Sequence, residues 1–249
     1  MIWLRSGTFL VFLFLSVLLF GLPIILFGRR LPYPWLTGLG QGWGRSVLWL
    51  LRVICGLGYR VTGWENLPRD PAVIFCKHQS AWETIALRGL LPPAQAWVLK
   101  RELLGVPVFG WALSAFDPIA IDRSAGRQAI RQLIGQGTRW LEQGRWVIIF
   151  PEGTRVAPGE RGTYGIGAAL LAEKSGRPLV PVAHNAGHFW GRRSFLKYPG
   201  VIDVIIGPPI PSVGRRASDL NREAAEWIES TLGGLPERPV AQGPQTSGR

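Results

Sequence analysis

Apolar residues run along this chain in two regimes. Residues 6–28 carry no charge and are dominated by Phe, Leu, Val and Ile; at 1.5 Å per residue such a helix is long enough to cross the ~30 Å hydrocarbon core of a bilayer. No small-x-small cleavage site follows. The chain continues Gly28-Arg29-Arg30-Leu31-Pro32, which predicts a retained anchor rather than a cleaved signal. Arg29, Arg30, Arg45 and Arg52 place more positive charge after the segment than Arg5 and the amino terminus place before it. That asymmetry predicts a cytoplasmic (inner) membrane protein whose main domain faces the cytoplasm. A second stretch, 46–57, sets Trp49, Leu50, Val53 and Ile54 beside Arg45 and Arg52. Too short to span, it predicts an interfacial helix or a hairpin partner for the first. Pro23 inside the first segment leaves insertion into a single leaflet open.

From Tyr59 onward short, continuous apolar runs alternate with helical patterns. The runs predict strands at 60–64, 72–76, 96–99, 118–121, 146–150, 179–183 and 201–206, and helices at 80–90, 124–142, 165–174 and 218–232. Strands apolar on both faces and separated by helices predict an α/β fold with a largely parallel central sheet flanked by helices. The chain thus divides into an N-terminal membrane anchor over 1–58, one catalytic domain over 59–235, and a tail over 236–249. In that tail Pro, Gly, Gln and Ser replace large apolar groups, which predicts disorder.

Composition narrows the partners. The 249 residues are 47% hydrophobic, include twelve Trp and carry a formal net charge of +12. A nucleic-acid binder can be as basic, but cations combined with interfacial rings and an apolar N-terminus suit anionic membrane lipids instead. Cys55 and Cys76 form no CxxC and no His cluster accompanies them, so neither a disulfide framework nor a metal site is expected. Cys76 reads as a small core residue.

Two segments carry chemistry. His78 follows the apolar run 72–76 and so emerges at the carboxyl end of a strand, where ligands bind open α/β sheets. Ser80 is placed to cap the next helix. Glu83, five positions after His78, would lie about 140° away from it on one regular helix. With His78 still in the loop, a first-turn carboxylate can turn back, fix the imidazole tautomer and support a general base. In Phe150-Pro151-Glu152-Gly153-Thr154-Arg155, proline ends a strand and Gly153 permits close backbone approach. Arg155 can fork onto a phosphate, and Thr154 and backbone N–H groups can add donors. A base beside an anion site suggests acyl transfer to an alcohol. Without a Gly-x-Ser-x-Gly elbow the attack would be direct. His184 and His188 have no acid at a matching spacing and read as structural or peripheral.

These two segments resemble the signature blocks of the glycerolipid acyltransferases, above all the lysophosphatidic acid acyltransferases. There a His-x4-Asp block supplies the base and a Glu-Gly-Thr-Arg block helps bind the acceptor's phosphate. The resemblance covers about residues 60–210, and here the acid is Glu83 rather than Asp. It implies His78 and Glu83 as catalytic residues and Glu152, Gly153, Thr154 and Arg155 as substrate ligands. Ala115-Phe116-Asp117-Pro118-Ile119-Ala120-Ile121-Asp122-Arg123 partly matches a third block, with Ala115 near the usual glycine, which implies a substrate-binding role for Arg123, and Lys100 lies in a lysine-containing stretch of the kind that precedes it. Leu179-Val180-Pro181-Val182-Ala183-His184-Asn185-Ala186-Gly187 resembles the fourth block, centred on Val-Pro-Val. The implied reaction moves a fatty acyl group from acyl-CoA or acyl carrier protein to the sn-2 hydroxyl of 1-acylglycerol 3-phosphate, giving phosphatidic acid, with no metal or bound cofactor. Another acceptor, such as a lysophospholipid or glycerol 3-phosphate, or a non-catalytic lipid-binding membrane protein, are the alternatives.

Overall fold

The computed structural model describes residues 1–238; residues 239–249 and the side chain of Arg123 lie outside the described residues. Two long helices open the chain, α1 (Ile2–Phe27) and α2 (Tyr33–Cys55), joined by a 3-10 turn at Gly28–Arg30. They pair antiparallel: Cys55 Sγ lies 3.7 Å from the Arg5 carbonyl, Trp43 Nε1 donates to Ser16 Oγ at 3.1 Å, and Leu36 packs beside Gly28. Pro23 lies within α1 without ending it.

The remainder is a seven-stranded sheet. Its strands are β1 (Leu57–Thr62), β2 (Val73–Cys76), β3 (Gln95–Lys100), β4 (Ile119–Ile121), β5 (Trp146–Ile149), β6 (Leu179–His184) and β7 (Gly200–Ile206), in the order β1-β7-β6-β2-β5-β3-β4. Five run parallel from β6 through β2, β5 and β3 to β4. β7 is antiparallel to β6 and carries β1 with it. Helices α3 (Trp82–Leu90), α4 (Phe109–Ser114), α5 (Arg127–Glu142), α6 (Gly167–Ser175) and α7 (Ala217–Gly233) complete the fold.

Because strand side chains alternate between faces, each central strand feeds two cores. Ile74, Cys76, Ile148, Val180 and Val182 pack with Phe9 of α1, Val47, Leu48 and Leu51 of α2, and Trp82 and Ile85 of α3. Val73, Phe75, Val147, Ile149 and Ala183 pack with Leu133 and Leu141 of α5, Leu171 of α6, and Leu220 and Ile228 of α7. The N-terminal hairpin is therefore an outer layer of the α/β domain and shares its core. Ser6 fixes the start of α1, since its hydroxyl accepts the backbone N–H of the buried Lys197 at 3.0 Å.

Two expectations change. The helix expected at 46–57 starts much earlier, at Tyr33, and belongs to the hairpin. Residues 236–238 of the expected tail are held: the Pro236 carbonyl accepts from Asn185 Nδ2 at 2.8 Å, and the Arg238 guanidinium lies 3.6 Å above the Tyr198 ring. The rest of that expected tail, 239–249, lies outside the described residues.

Candidate active site

The carboxyl ends of β2, β5, β3 and β4 lie side by side along one edge of the sheet. His78 follows β2, the Glu152–Arg155 turn follows β5, Lys100 ends β3, and Arg123 follows β4. Parallel pairing thus gathers onto one edge blocks that are far apart in sequence.

His78 Nδ1 lies 2.8 Å from Glu83 Oε1. The same oxygen accepts the backbone N–H groups of Gln79 at 2.9 Å and Ser80 at 2.7 Å. A carboxylate held by two N–H donors is an acceptor, so Nδ1 carries the proton and Nε2 is left with its lone pair. Phe150 stacks on the imidazole with ring centroids 4.2 Å apart, fixing its plane. The Glu83 side chain is fully buried and that of His78 is 14% exposed: the acid is sealed and the base reaches the surface.

Burial alone would raise the Glu83 carboxyl. The imidazoles of His184 and His78 and the Ser80 N–H outweigh it and leave the group below its ordinary value, hence ionised. His184 lies 3.9 Å from the second oxygen, Glu83 Oε2. Its own Nε2 donates to the Lys77 carbonyl at 2.9 Å, and its Nδ1 accepts from Ala186 N–H at 3.3 Å. Burial lowers its pKa, consistent with a neutral ring using both nitrogens structurally.

The two signature segments are joined directly. Glu152 Oε2 accepts the His78 N–H at 2.9 Å, the Val156 N–H donates to the His78 carbonyl at 2.8 Å, and Arg155 Nε donates to the Ser80 carbonyl at 2.7 Å. Glu152 itself departs from expectation. Its side chain is fully buried, with Oε1 2.7 Å from Lys77 Nζ, so in this structure it holds the His78 loop. Gly153 takes φ +65°, in the left-handed region that favours glycine. Thr154 is exposed and Arg155 half-buried, so both can meet a solute. Lys100 is exposed two strands from β2, about 10 Å across the sheet. The backbone of Arg123 begins a 3-10 turn after the next strand.

Several groups that build the site find partners far away in the sequence. Lys77, fully buried, bridges Glu152 and Glu229 of α7 at 2.7 and 3.0 Å, and Tyr164 Oη donates to Glu229 Oε1 at 2.6 Å. Ser80 lies one residue before the helix N-cap, Ala81; its hydroxyl accepts the Trp82 N–H at 3.0 Å and donates to the Trp190 carbonyl. A lysine or histidine on an apolar run gives no hint of a partner more than a hundred positions away. Among the described residues no group of three or more His, Cys, Asp or Glu side chains is arranged to hold a metal ion.

Known proteins resemble this chain in sequence and in fold. A 1-acyl-sn-glycerol-3-phosphate acyltransferase of Pseudomonas aeruginosa is 46% identical over 213 residues, covering 84% of this chain and 80% of that protein. One from Saccharomyces cerevisiae is 29% identical over 63% of this chain and half of its own length. The crystal structure of the 1-acyl-sn-glycerophosphate acyltransferase of Thermotoga maritima superposes with a TM-score of 0.77 at 22% identity, over 94% of this chain and 96% of that one, which shows the same fold. Residues 58–185, which hold the His78–Glu83 pair and the turn that anchors it, match the Acyltransferase family, and the chain belongs to that family.

Proposed function

We propose that this acyltransferase transfers a fatty acyl group from a thioester to the sn-2 hydroxyl of 1-acylglycerol 3-phosphate, forming phosphatidic acid. The observation that carries the chemistry is the 2.8 Å contact between His78 Nδ1 and a buried, ionised Glu83. Nε2 takes the proton of the acceptor hydroxyl as its oxygen attacks the thioester carbonyl. The new C–O bond forms, the C–S bond breaks, and the imidazolium returns the proton to the leaving sulfur. Glu83 stays ionised throughout and stabilises the imidazolium.

The acceptor follows from Arg155. Its Nε is spent on Ser80, which holds the guanidinium beside the base and leaves two Nη groups for a phosphate. Thr154 adds a hydroxyl, and Lys100 and Arg123 extend the positive charge along the same edge. The names of the relatives support this acceptor; the donor is either acyl-CoA or acyl carrier protein. The hairpin supports a membrane setting. α1 is long and apolar enough to cross a bilayer, yet Phe9 and Ile24 near its two ends are buried against the protein. A helix docked along its length favours insertion into the cytoplasmic leaflet of the inner membrane.

Arg155→Ala tests the acceptor. Loss of a charge-assisted contact should lower kcat/KM for lysophosphatidic acid by roughly 10- to 150-fold, with little change for monoacylglycerol, which has no phosphate. Equal loss on both acceptors would show that Arg155 serves the fold or the donor.

A further inference from the structure

At the opposite edge of the sheet from His78 lies a second cluster of buried polar groups. Seven buried side-chain polar atoms among the described residues have no hydrogen-bond partner, and four of them gather here: Tyr33 Oη, Arg88 Nη1, Trp140 Nε1 and Arg145 Nη1. The Arg145 guanidinium is 4.0 Å from the Tyr33 ring centroid and 3.9 Å from that of Trp140. Arg139 lies 5.1 Å from the Trp140 ring. Arg88, 6% exposed, sits 4.6 Å from the Phe116 ring and is coupled electrostatically to Tyr33. All four unpartnered atoms are donors. The acid beside them, Asp117, holds Oδ2 3.6 Å from Arg145 Nη1, beyond hydrogen-bond reach, and its side chain is 58% exposed. Buried polar groups are nearly always satisfied, and a site rich in donors and cations is satisfied by an anion.

We propose that Tyr33, Arg88, Trp140 and Arg145 bind the phosphate of an anionic membrane lipid at the turn of the α1–α2 hairpin. Burial lowers the Arg88 pKa only to about 10, so it remains a cation, and burial raises that of Tyr33, which remains a donor. A lipid rather than a free anion is favoured by the surroundings. Arg88 and Phe116 also line an apolar cleft walled by Val17, Phe20 and Ile24 of α1 and Phe109 of α4. Leu26, Phe27 and Trp35 are exposed next to the turn, at 65%, 54% and 71%. A headgroup on the donors with a chain in the cleft would tie the hairpin to the catalytic domain. The site is separate from the His78 edge and does not rest on the acceptor assignment.

The full chain in non-ionic detergent is titrated with phosphatidylglycerol, phosphatidylcholine or inorganic phosphate while its thermal unfolding midpoint is followed, since a ligand of the native state raises Tm. Phosphatidylglycerol should raise Tm at lower concentration than the other two. Arg145→Met should increase its half-saturating concentration by about tenfold or more, because a charge-assisted contact is lost. Asp117→Asn should tighten binding, because it removes the negative charge that competes for Arg145; Asp117 has φ +49°, which asparagine tolerates. Arg155→Ala, at the other edge, should leave the titration unchanged. Phosphatidylcholine acting as well as phosphatidylglycerol, or weaker binding in Asp117→Asn, would overturn the site even if Arg145→Met fails to fold. Inorganic phosphate matching the lipid would overturn the lipid assignment.

Discussion

Glu83 has one more methylene than the aspartate of the resembling block, and the structure shows what it reaches: one oxygen meets His78 Nδ1 and two backbone N–H groups at once. Glu83→Gln puts a neutral amide against three donors and should lower kcat by about 10² or more, within the range expected when a general base loses its support. Glu83→Asp keeps the charge and should retain more activity; the reverse order in steady-state assays would remove the orienting role. Acid should unfold the protein in two stages, because both groups have folded pKa values below their unfolded ones and each stabilises only above its unfolded pKa. Stability should fall first below about pH 6.5, where an unfolded His184 binds a proton that the buried ring resists, and again below about pH 4.3 as Glu83 is protonated. Denaturant midpoints from about pH 3 to about pH 8 measure both limbs, and His184→Gln should flatten the upper one. At this scale the sequence was legible wherever partners are neighbours, as with His78 and Glu83. It was silent on Lys77, whose partners Glu152 and Glu229 arrive only when the sheet and α7 assemble.

The elements were readable for the same kind of reason. Each expected strand of the domain is present within a few residues, because a strand buried on both faces leaves a continuous apolar run. The first half of α2 was not readable: Gly38, Gly40, Gly42 and Gly44 are poor helix formers. Packing explains two of them, Gly40 and Gly44. A Cβ on Gly44 would lie 2.7 Å from the Gly89 nitrogen of α3, and one on Gly40 would lie 3.0 Å from the Phe116 ring. Backbone contact lets Arg45 Nε donate to the Gly89 carbonyl and Gln41 Nε2 to the Leu91 carbonyl, both at 3.0 Å, closing the end of the helix that carries Glu83. Gly44→Ala must force α2 and α3 apart. It should cost about 1–3 kcal/mol in urea unfolding and lower kcat, although the residue is remote from substrate; unchanged stability would mean that the hairpin rides loosely on the domain.

For the whole molecule, the placement of Glu229 bears on where the enzyme can be cut. The family match ends at residue 185, and every recognised block ends by residue 187, so a shortened chain would look catalytically complete by its motifs. Yet α7 supplies one of the two carboxylates on Lys77, directly beside the base, as well as Leu220 and Ile228 of the core. A chain ending at Arg216 should therefore be inactive while containing every signature residue. Glu229→Gln in the full chain should show the same dependence more gently, lowering both Tm and kcat; full turnover in either protein would show that Lys77 holds the loop through Glu152 alone. The smallest working catalyst is thus set by where a buried ammonium finds its counter-charges, and grafting this site onto another α/β scaffold would require transplanting a helix that carries no motif.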